Sequence, residues 1–142
     1  MSFNLAPLSL RRDIAMLGLI DRTVLGEGPV HFQRFFYVTS STTRMSARHR
    51  RHNRQLYEYR HGKYLDMVGR SALGAASVYN LLPQEIVDAE NVKLFQRSLQ
   101  DLARHAAATN TPEWQHLYST RHSMHTHPLK RVCFVHQCTH MS

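Results

Sequence analysis

The chain has 142 residues and carries 18 Lys or Arg against 10 Asp or Glu, which gives a formal net charge of +8 at pH 7 with its 11 His neutral. This length suits one small domain with tails and excludes a large enzyme with separate cofactor and substrate domains. Two cysteines cannot form a disulfide framework. The basic excess favours polyanionic partners, of which nucleic acid comes first.

The sequence shows no segment of the kind that directs a chain into or across a membrane. Arg11 and Arg12 follow the short apolar stretch of the N-terminus, whereas a secretory signal has its basic residues first. The longest uncharged stretch, residues 71–84, is too short for a membrane span and contains Pro83. We therefore expect an intracellular protein, nuclear or cytoplasmic, that is not secreted and has no membrane partner.

The first predicted helix spans about residues 10–25. Ser9 is suited to cap its N-terminus and Gly26 to end it. Apolar residues recur at helical spacing along one face, namely Ile14, Leu17, Val24 and Leu25. Charged residues occupy the opposite face, namely Arg11, Arg12, Asp13, Asp21 and Arg22. We expect the apolar face to pack and the charged face to meet solvent.

Two further regions predict short helices. The aromatic run 31–38 is too dense in Phe and Tyr to remain exposed, and we expect a short helix there in the same core. Residues 72–79 form a small-residue helix that ends before Pro83. Pro83 suits the first position of another short helix through Val87.

An amphipathic helix from Asn91 to about Ala107 is the clearest pattern in the chain. Asn91 is suited to cap it, and apolar residues follow at helical spacing, namely Val92, Phe95, Leu99, Leu102 and Ala106. After Thr109 the periodicity is lost and Trp114 is the only strong anchor. We therefore expect a disordered tail over residues 109–142.

These elements predict a mainly α fold, a small irregular helical domain with a basic arm and a disordered C-terminal tail. The N-terminal helix and the aromatic segment occupy residues 1–38, and the basic arm or linker occupies residues 39–69. The helical segment 70–108 is expected to pack with residues 1–38 as one domain.

The basic arm gives the most direct indication of a partner, because residues 44–70 hold three quarters of the net charge. Arg outnumbers Lys by 15 to 3, which favours bidentate phosphate contacts. The candidate nucleic-acid-binding residues are Arg44, Arg48, Arg50, Arg51, Arg54, Tyr57, Tyr59, Arg60 and Lys63. The cations would contact phosphates of RNA or DNA, and Tyr57 or Tyr59 would stack on unpaired bases. A solvated basic linker or a localisation-type basic run fits the same residues.

Catalytic and metal sites have less support. No two acidic residues are adjacent and no phosphate-binding glycine motif is complete, so we predict no catalytic residues and no cofactor. The weak candidates for metal ligands are Cys133, His136, Cys138 and His140. They fall within eight residues, whereas structural zinc sites usually draw two ligands from each of two separated segments.

Several pieces of the sequence carry a resemblance to a known family. They are Arg70-Ser71-Ala72, the run 78–87, Phe95 with Leu99, and the N-terminal run 7–12 whose helix ends at Gly26. In order and spacing they resemble the region after the reverse-transcriptase domain in polyproteins of non-LTR (LINE-type) retrotransposons. There, R-S-F, W-N-x-L-P-x-x-I/V and F-K-x-x-L recur. Ala72, Tyr79 and Gln96 depart from that pattern, where an aromatic residue, Trp and Lys are usual.

The resemblance implies a non-catalytic, C-terminal remnant of a reverse-transcriptase polyprotein. The Tyr-x-Asp-Asp polymerase motif and the endonuclease carboxylates of such polyproteins are missing from this sequence. Two alternatives remain open. One is a helical protein-interaction module in which the face of Leu81, Leu82, Phe95, Leu99 and Leu102 binds another protein or a polymerase domain. The other is a decayed open reading frame without selected function.

Overall fold

A computed structural model of the chain describes residues 6–38, 54–58, 72–120 and 127–130. This part is mainly helical, as the sequence predicts. Its α-helices are α1 (Leu8–Val24), α2 (Ala75–Tyr79), α3 (Gln84–Val87) and α4 (Val92–Ala108). Turns of 3₁₀ helix occur at Val30–Arg34, Ala72–Gly74, Trp114–His116 and Pro128–Lys130.

The two long helices, α1 and α4, pack against each other and carry most of the core. Helix α1 buries Leu10, Ile14, Leu17 and Ile20, and α4 buries Val92, Phe95, Leu99, Ala103 and Ala106. Gly18 of α1 lies against the side chain of Gln96. Arg11, earlier in α1, lines the same groove as Arg104, later in α4. The two helices therefore run antiparallel.

The helix ends show which capping predictions were right. Asn91 accepts a hydrogen bond from the backbone N–H of Leu94 at 2.9 Å, which confirms it as the N-cap of α4. Ser9 is not the cap of α1, because the helix already begins at Leu8 and the Pro7 carbonyl accepts the hydrogen bond of Arg11. Gly26 ends α1 with a φ of 82°, in the left-handed region that glycine tolerates best.

The short helices match their predictions in part. The helix predicted over residues 72–79 begins with a 3₁₀ turn at Ala72–Gly74 and is α-helical only from Ala75. Helix α3 lies where predicted, with Pro83 as its N-cap and not its first residue. The aromatic run instead forms a 3₁₀ turn and then an extended segment that reaches Val38. Phe36 is its one fully buried aromatic side chain in the described structure, whereas Phe35 and Tyr37 are 42% and 44% exposed. The expectation that the whole run would be covered is therefore wrong.

Part of the segment predicted as a disordered tail belongs to the core. Trp114, Leu117, Tyr118 and Leu129 are all buried in the same cluster as α1 and α4. The Tyr118 hydroxyl donates a hydrogen bond of 2.6 Å to the Leu99 carbonyl. The predicted boundary at residue 109 is therefore too early for residues 109–120 and 127–130. The remaining tail residues lie outside the described part.

The helical face predicted to bind another protein packs into the core of the chain itself. Leu82, Phe95 and Leu99 have no exposed surface, and Leu81 and Leu102 are partly buried against them. Because α1 and the Trp114 segment already cover this face, the structure contradicts its prediction as an interaction surface.

Candidate nucleic-acid interface

The residues just before the predicted basic arm meet the segment 54–58, which lies within the arm. Val38 and Leu56 form an isolated antiparallel bridge, and the Tyr57 N–H donates to the Tyr37 carbonyl at 3.1 Å. In sequence, residues 39–53 connect the two sides of this bridge, so we call them the basic loop and the bridge its base. Residues 39–53 themselves lie outside the described part of the chain.

Asn80, directly after α2, holds this base in place. Its side-chain oxygen accepts from the Leu56 N–H at 2.7 Å, and its side-chain NH₂ donates to the Leu56 carbonyl at 2.9 Å. Gln55 donates to the Asn80 carbonyl at 3.2 Å. The Asn80 amide thus satisfies both backbone groups of a buried residue, which would otherwise be left without partners in the core.

A pair of stacked tyrosines lies at the base of the loop. The rings of Tyr37 and Tyr57 are 5.5 Å apart between centroids and inclined by 13°, with 44% and 39% of each residue exposed. A flat, partly exposed aromatic surface is what unpaired bases stack on. Tyr57 was predicted for this role, whereas Tyr37 was assigned to the core because it lies in a dense aromatic run.

Arg54, another predicted phosphate ligand, forms a hydrogen bond with the core. Its guanidinium donates to the Val87 carbonyl at 3.0 Å, and its positive charge favours the ionised forms of Asp21 and Tyr79. The residue is half-buried. Arg54 therefore anchors the segment 54–58, and its contact with phosphate stays a prediction.

Asp21 was predicted on the solvent-exposed face of α1, but it is completely buried. Its Oδ1 accepts a hydrogen bond of 3.3 Å from the Tyr79 hydroxyl, and its Oδ2 has no hydrogen-bond partner among the described residues. Burial raises the pKa of Asp21 to about 6, although Tyr79 and Arg54 favour the charged form. Burial, and then the charge of Asp21, also raises the pKa of Tyr79 above its ordinary value.

The net positive charge of the chain is distributed unevenly along the sequence. The described residues contain nine basic and nine acidic side chains, so the whole net charge of +8 lies in the remaining segments. Half of that surplus comes from the loop 39–53, which has four arginines and no acidic residue. A neutral helical core therefore carries a strongly basic loop.

The other predicted site residues lie outside the described part of the chain. They are Arg44, Arg48, Arg50, Arg51, Tyr59, Arg60 and Lys63 of the arm, and Cys133, His136, Cys138 and His140 of the tail. Within residues 6–38, 54–58, 72–120 and 127–130, no group of three or more His, Cys, Asp or Glu is arranged to hold a metal ion.

Comparisons with protein-family models, with curated proteins and with solved structures found no match. None of the helices in the described ranges has the length and apolar character needed to cross a membrane.

Proposed function

We propose that this chain binds RNA or DNA, without catalysis, through the Arg-rich loop 39–53 and the tyrosine pair at its base. The observation that carries the proposal is the position of the exposed Tyr37–Tyr57 pair, where the four-arginine loop begins and ends. The arginines neutralise phosphates and release counterions, and the tyrosines stack on bases. This combination favours single strands, because bases within a duplex are already stacked and paired.

We further propose that the chain is a non-catalytic remnant of a retrotransposon reverse-transcriptase polyprotein. The support comes from the sequence pieces described above, and the structure supplies physical roles for three of their residues. Asn80 clamps Leu56, Pro83 precedes α3, and Phe95 is buried between the long helices. Tyr79, where the family usually has Trp, instead hydrogen-bonds to the buried Asp21.

Substitution of Tyr57 tests the stacking part of the proposal. Tyr57→Leu removes the aromatic surface, whereas Tyr57→Phe keeps it. We expect the Leu variant to bind a labelled single-stranded RNA at least about fivefold more weakly and the Phe variant to bind as the wild type does, since base–aromatic stacking contributes about 1–3 kcal/mol per base. Fluorescence anisotropy gives the two dissociation constants.

Val30→Ala is the matched control, because Val30 is 75% exposed on the same aromatic segment but lies away from the tyrosine pair in sequence. Its affinity should equal that of the wild type. Equal RNA affinity for Tyr57→Leu and the wild type would remove the tyrosine pair from the interface. Equal weakening on single-stranded RNA and duplex DNA would argue against stacking on unpaired bases.

A further inference from the structure

Asp21 of α1, Tyr79 of α2 and Arg54 of the segment 54–58 form a polar cluster, which we call the Asp21 cluster. Asp21 and Tyr79 are completely buried, and the Tyr79 hydroxyl donates to Asp21 Oδ1 at 3.3 Å. Arg54 is half-buried, and its positive charge acts on Asp21. The exposed Glu27 is the other charged group that acts on Asp21 in the described structure. Because Arg54 alone of the three cluster residues has exposed surface, the cluster meets solvent at the segment 54–58.

Side-chain hydrogen bonds hold the segment 54–58 against the helices. The Arg54 guanidinium donates to a carbonyl of α3 at 3.0 Å, and Asn80 bonds to both backbone groups of Leu56. The segment forms no helix, and its only pairing with another described segment of the same kind is the isolated bridge to Val38. Segments of this kind open at a lower free energy than packed helices unfold. We therefore expect the segment 54–58 to separate from the helices while α1 and α4 stay folded.

The second carboxyl oxygen of Asp21 shows which protonation state the closed arrangement suits. Asp21 Oδ2 is buried and has no hydrogen-bond partner among the described residues. A buried carboxylate in this position holds a charge that is only partly compensated, whereas the carboxylic acid has no charge to solvate. Burial raises the pKa of Asp21 to about 6, a value that already includes the opposing effects of Tyr79 and Arg54. The closed arrangement therefore favours the acid, and contact with water favours the ionised form.

We propose that the protonation of Asp21 controls the closure of the segment 54–58, which stays closed over the Asp21 cluster while Asp21 is protonated and opens more often once Asp21 is ionised. Opening removes Arg54 from the cluster and admits water to Asp21, which then titrates with its ordinary pKa of 3.8. The equilibrium therefore shifts towards opening as the pH rises from about 4 to about 6, and it levels off above that range. The pH thus sets how firmly the base of the basic loop is held, whether or not the loop binds nucleic acid.

Hydrogen exchange of the full chain, followed by nuclear magnetic resonance, measures this opening. The N–H groups of Leu56 and Tyr57 are both hydrogen-bonded at the base, so they exchange when the segment opens. Their protection factors, which are corrected for the intrinsic effect of pH on exchange, should fall about tenfold between pH 5 and pH 7.5. Low concentrations of urea should leave these protection factors unchanged but reduce those of α4, because a local opening exposes little surface.

Two variants separate Asp21 from the other titrating groups. Asp21→Asn keeps the shape of the side chain without a proton to lose, and its protection factors at Leu56 and Tyr57 should change less than about twofold over the same pH range. Glu90→Gln removes an exposed carboxylate that does not act on Asp21, and it should keep the tenfold fall.

An equal fall in Asp21→Asn would overturn the proposal, because the histidines of the chain would then account for the pH dependence. The proposal is also overturned if Leu56 and Tyr57 share the protection factors and the urea dependence of α4 in the wild type. Asp21 would then act on the fold as a whole and not on the segment 54–58. This second comparison uses the wild type alone, so it holds even if Asp21→Asn does not fold.

Discussion

Asp21 is the residue at which burial and charge oppose each other most directly. Its ordinary pKa of 3.8 describes the unfolded chain, and burial raises the pKa of Asp21 to about 6 in the folded chain. Between these two values the folded state binds more protons, so Asp21 stabilises the fold fully below about pH 4. This contribution is lost as the pH rises through about 6.

The first prediction follows from this sign. The free energy of unfolding of the wild type, relative to Asp21→Asn, should fall by about 2.4 kcal/mol between pH 4 and pH 7. The reason is that the Asn side chain does not ionise. Urea unfolding of both proteins across this pH range measures the difference. A difference that does not change with pH would show that Asp21 keeps its ordinary pKa in the fold.

Asn80 supports the second prediction. Asn80→Ala leaves the Leu56 N–H and carbonyl unpaired in a buried place, and we expect a loss of about 2–3 kcal/mol in the free energy of unfolding. The backbone amide hydrogens at the base of the loop should then exchange with solvent faster than in the wild type. Gln84→Ala removes an exposed hydrogen bond to Asp88 and serves as the control, with a change below about 0.5 kcal/mol. Equal losses of unfolding free energy in the two variants would contradict the role of Asn80 in holding Leu56.

At the residue scale, the sequence could not distinguish Arg54 or Asp21 from surface charges. Arg54 bonds to a carbonyl 33 residues away, and Asp21 to a tyrosine 58 residues away. Local patterns carry no information on such distant partners. They did draw attention to Tyr57, since an aromatic side chain beside a basic run is a local feature, and its stacking on bases stays a prediction.

At the scale of elements, α4 was predicted nearly to its ends because its apolar period and its Asn91 cap agree. Helix α1 was predicted over residues 10–25 and spans Leu8–Val24, so its C-terminus was predicted one residue late. Its N-terminus was predicted two residues late, because Pro7 supplies the first acceptor. The run 31–38 was predicted as one short helix, but only its first half forms a 3₁₀ turn. Its extended end depends on pairing with Leu56, which no local pattern shows.

Gly18, within α1, and Gly26, just after its C-terminal end, give the third prediction. A Cβ at Gly18 would meet only the flexible end of Gln96, so Gly18→Ala should raise the free energy of unfolding by up to about 1 kcal/mol through helix propensity. Gly26→Ala should lower it by about 1–2 kcal/mol, because its φ of 82° is left-handed. Urea unfolding measures both. A large loss in Gly18→Ala would mean that α1 and α4 cannot admit one methyl group there.

At the scale of the whole molecule, the core is completed by residues that the sequence patterns left out. Trp114, Leu117 and Tyr118 have the spacing of a single helical turn, and Leu129 follows only after a polar stretch, so the pattern is too short to predict an element of the core. His127 is fully buried among them. It bonds to the Ser119 carbonyl at 2.9 Å through Nε2 and accepts from the Leu129 N–H through Nδ1. These contacts tie the chain beyond α4 to the helices.

The fourth prediction is a truncation. A chain that ends at residue 109 loses the burial of four large side chains, each contributing about 1.5–3 kcal/mol or more, which approaches the total stability of a small domain. We expect it to lose its cooperative thermal unfolding transition, whereas a chain that ends at residue 130 should keep it. Circular dichroism during heating compares them. Equal transitions would show that residues 110–130 are dispensable for the core.

The distribution of charge is the other property of the whole molecule, because a neutral helical core holds a loop with four arginines. The most direct test of the account is the salt dependence of binding to a labelled single-stranded RNA. Changing Arg44, Arg48, Arg50 and Arg51 to Gln should reduce the slope of log affinity against log salt by about 3. Changing the four exposed arginines Arg12, Arg22, Arg34 and Arg97 should reduce it by less than about 1. Equal slopes in the two variants would contradict the assignment of phosphate binding to the loop.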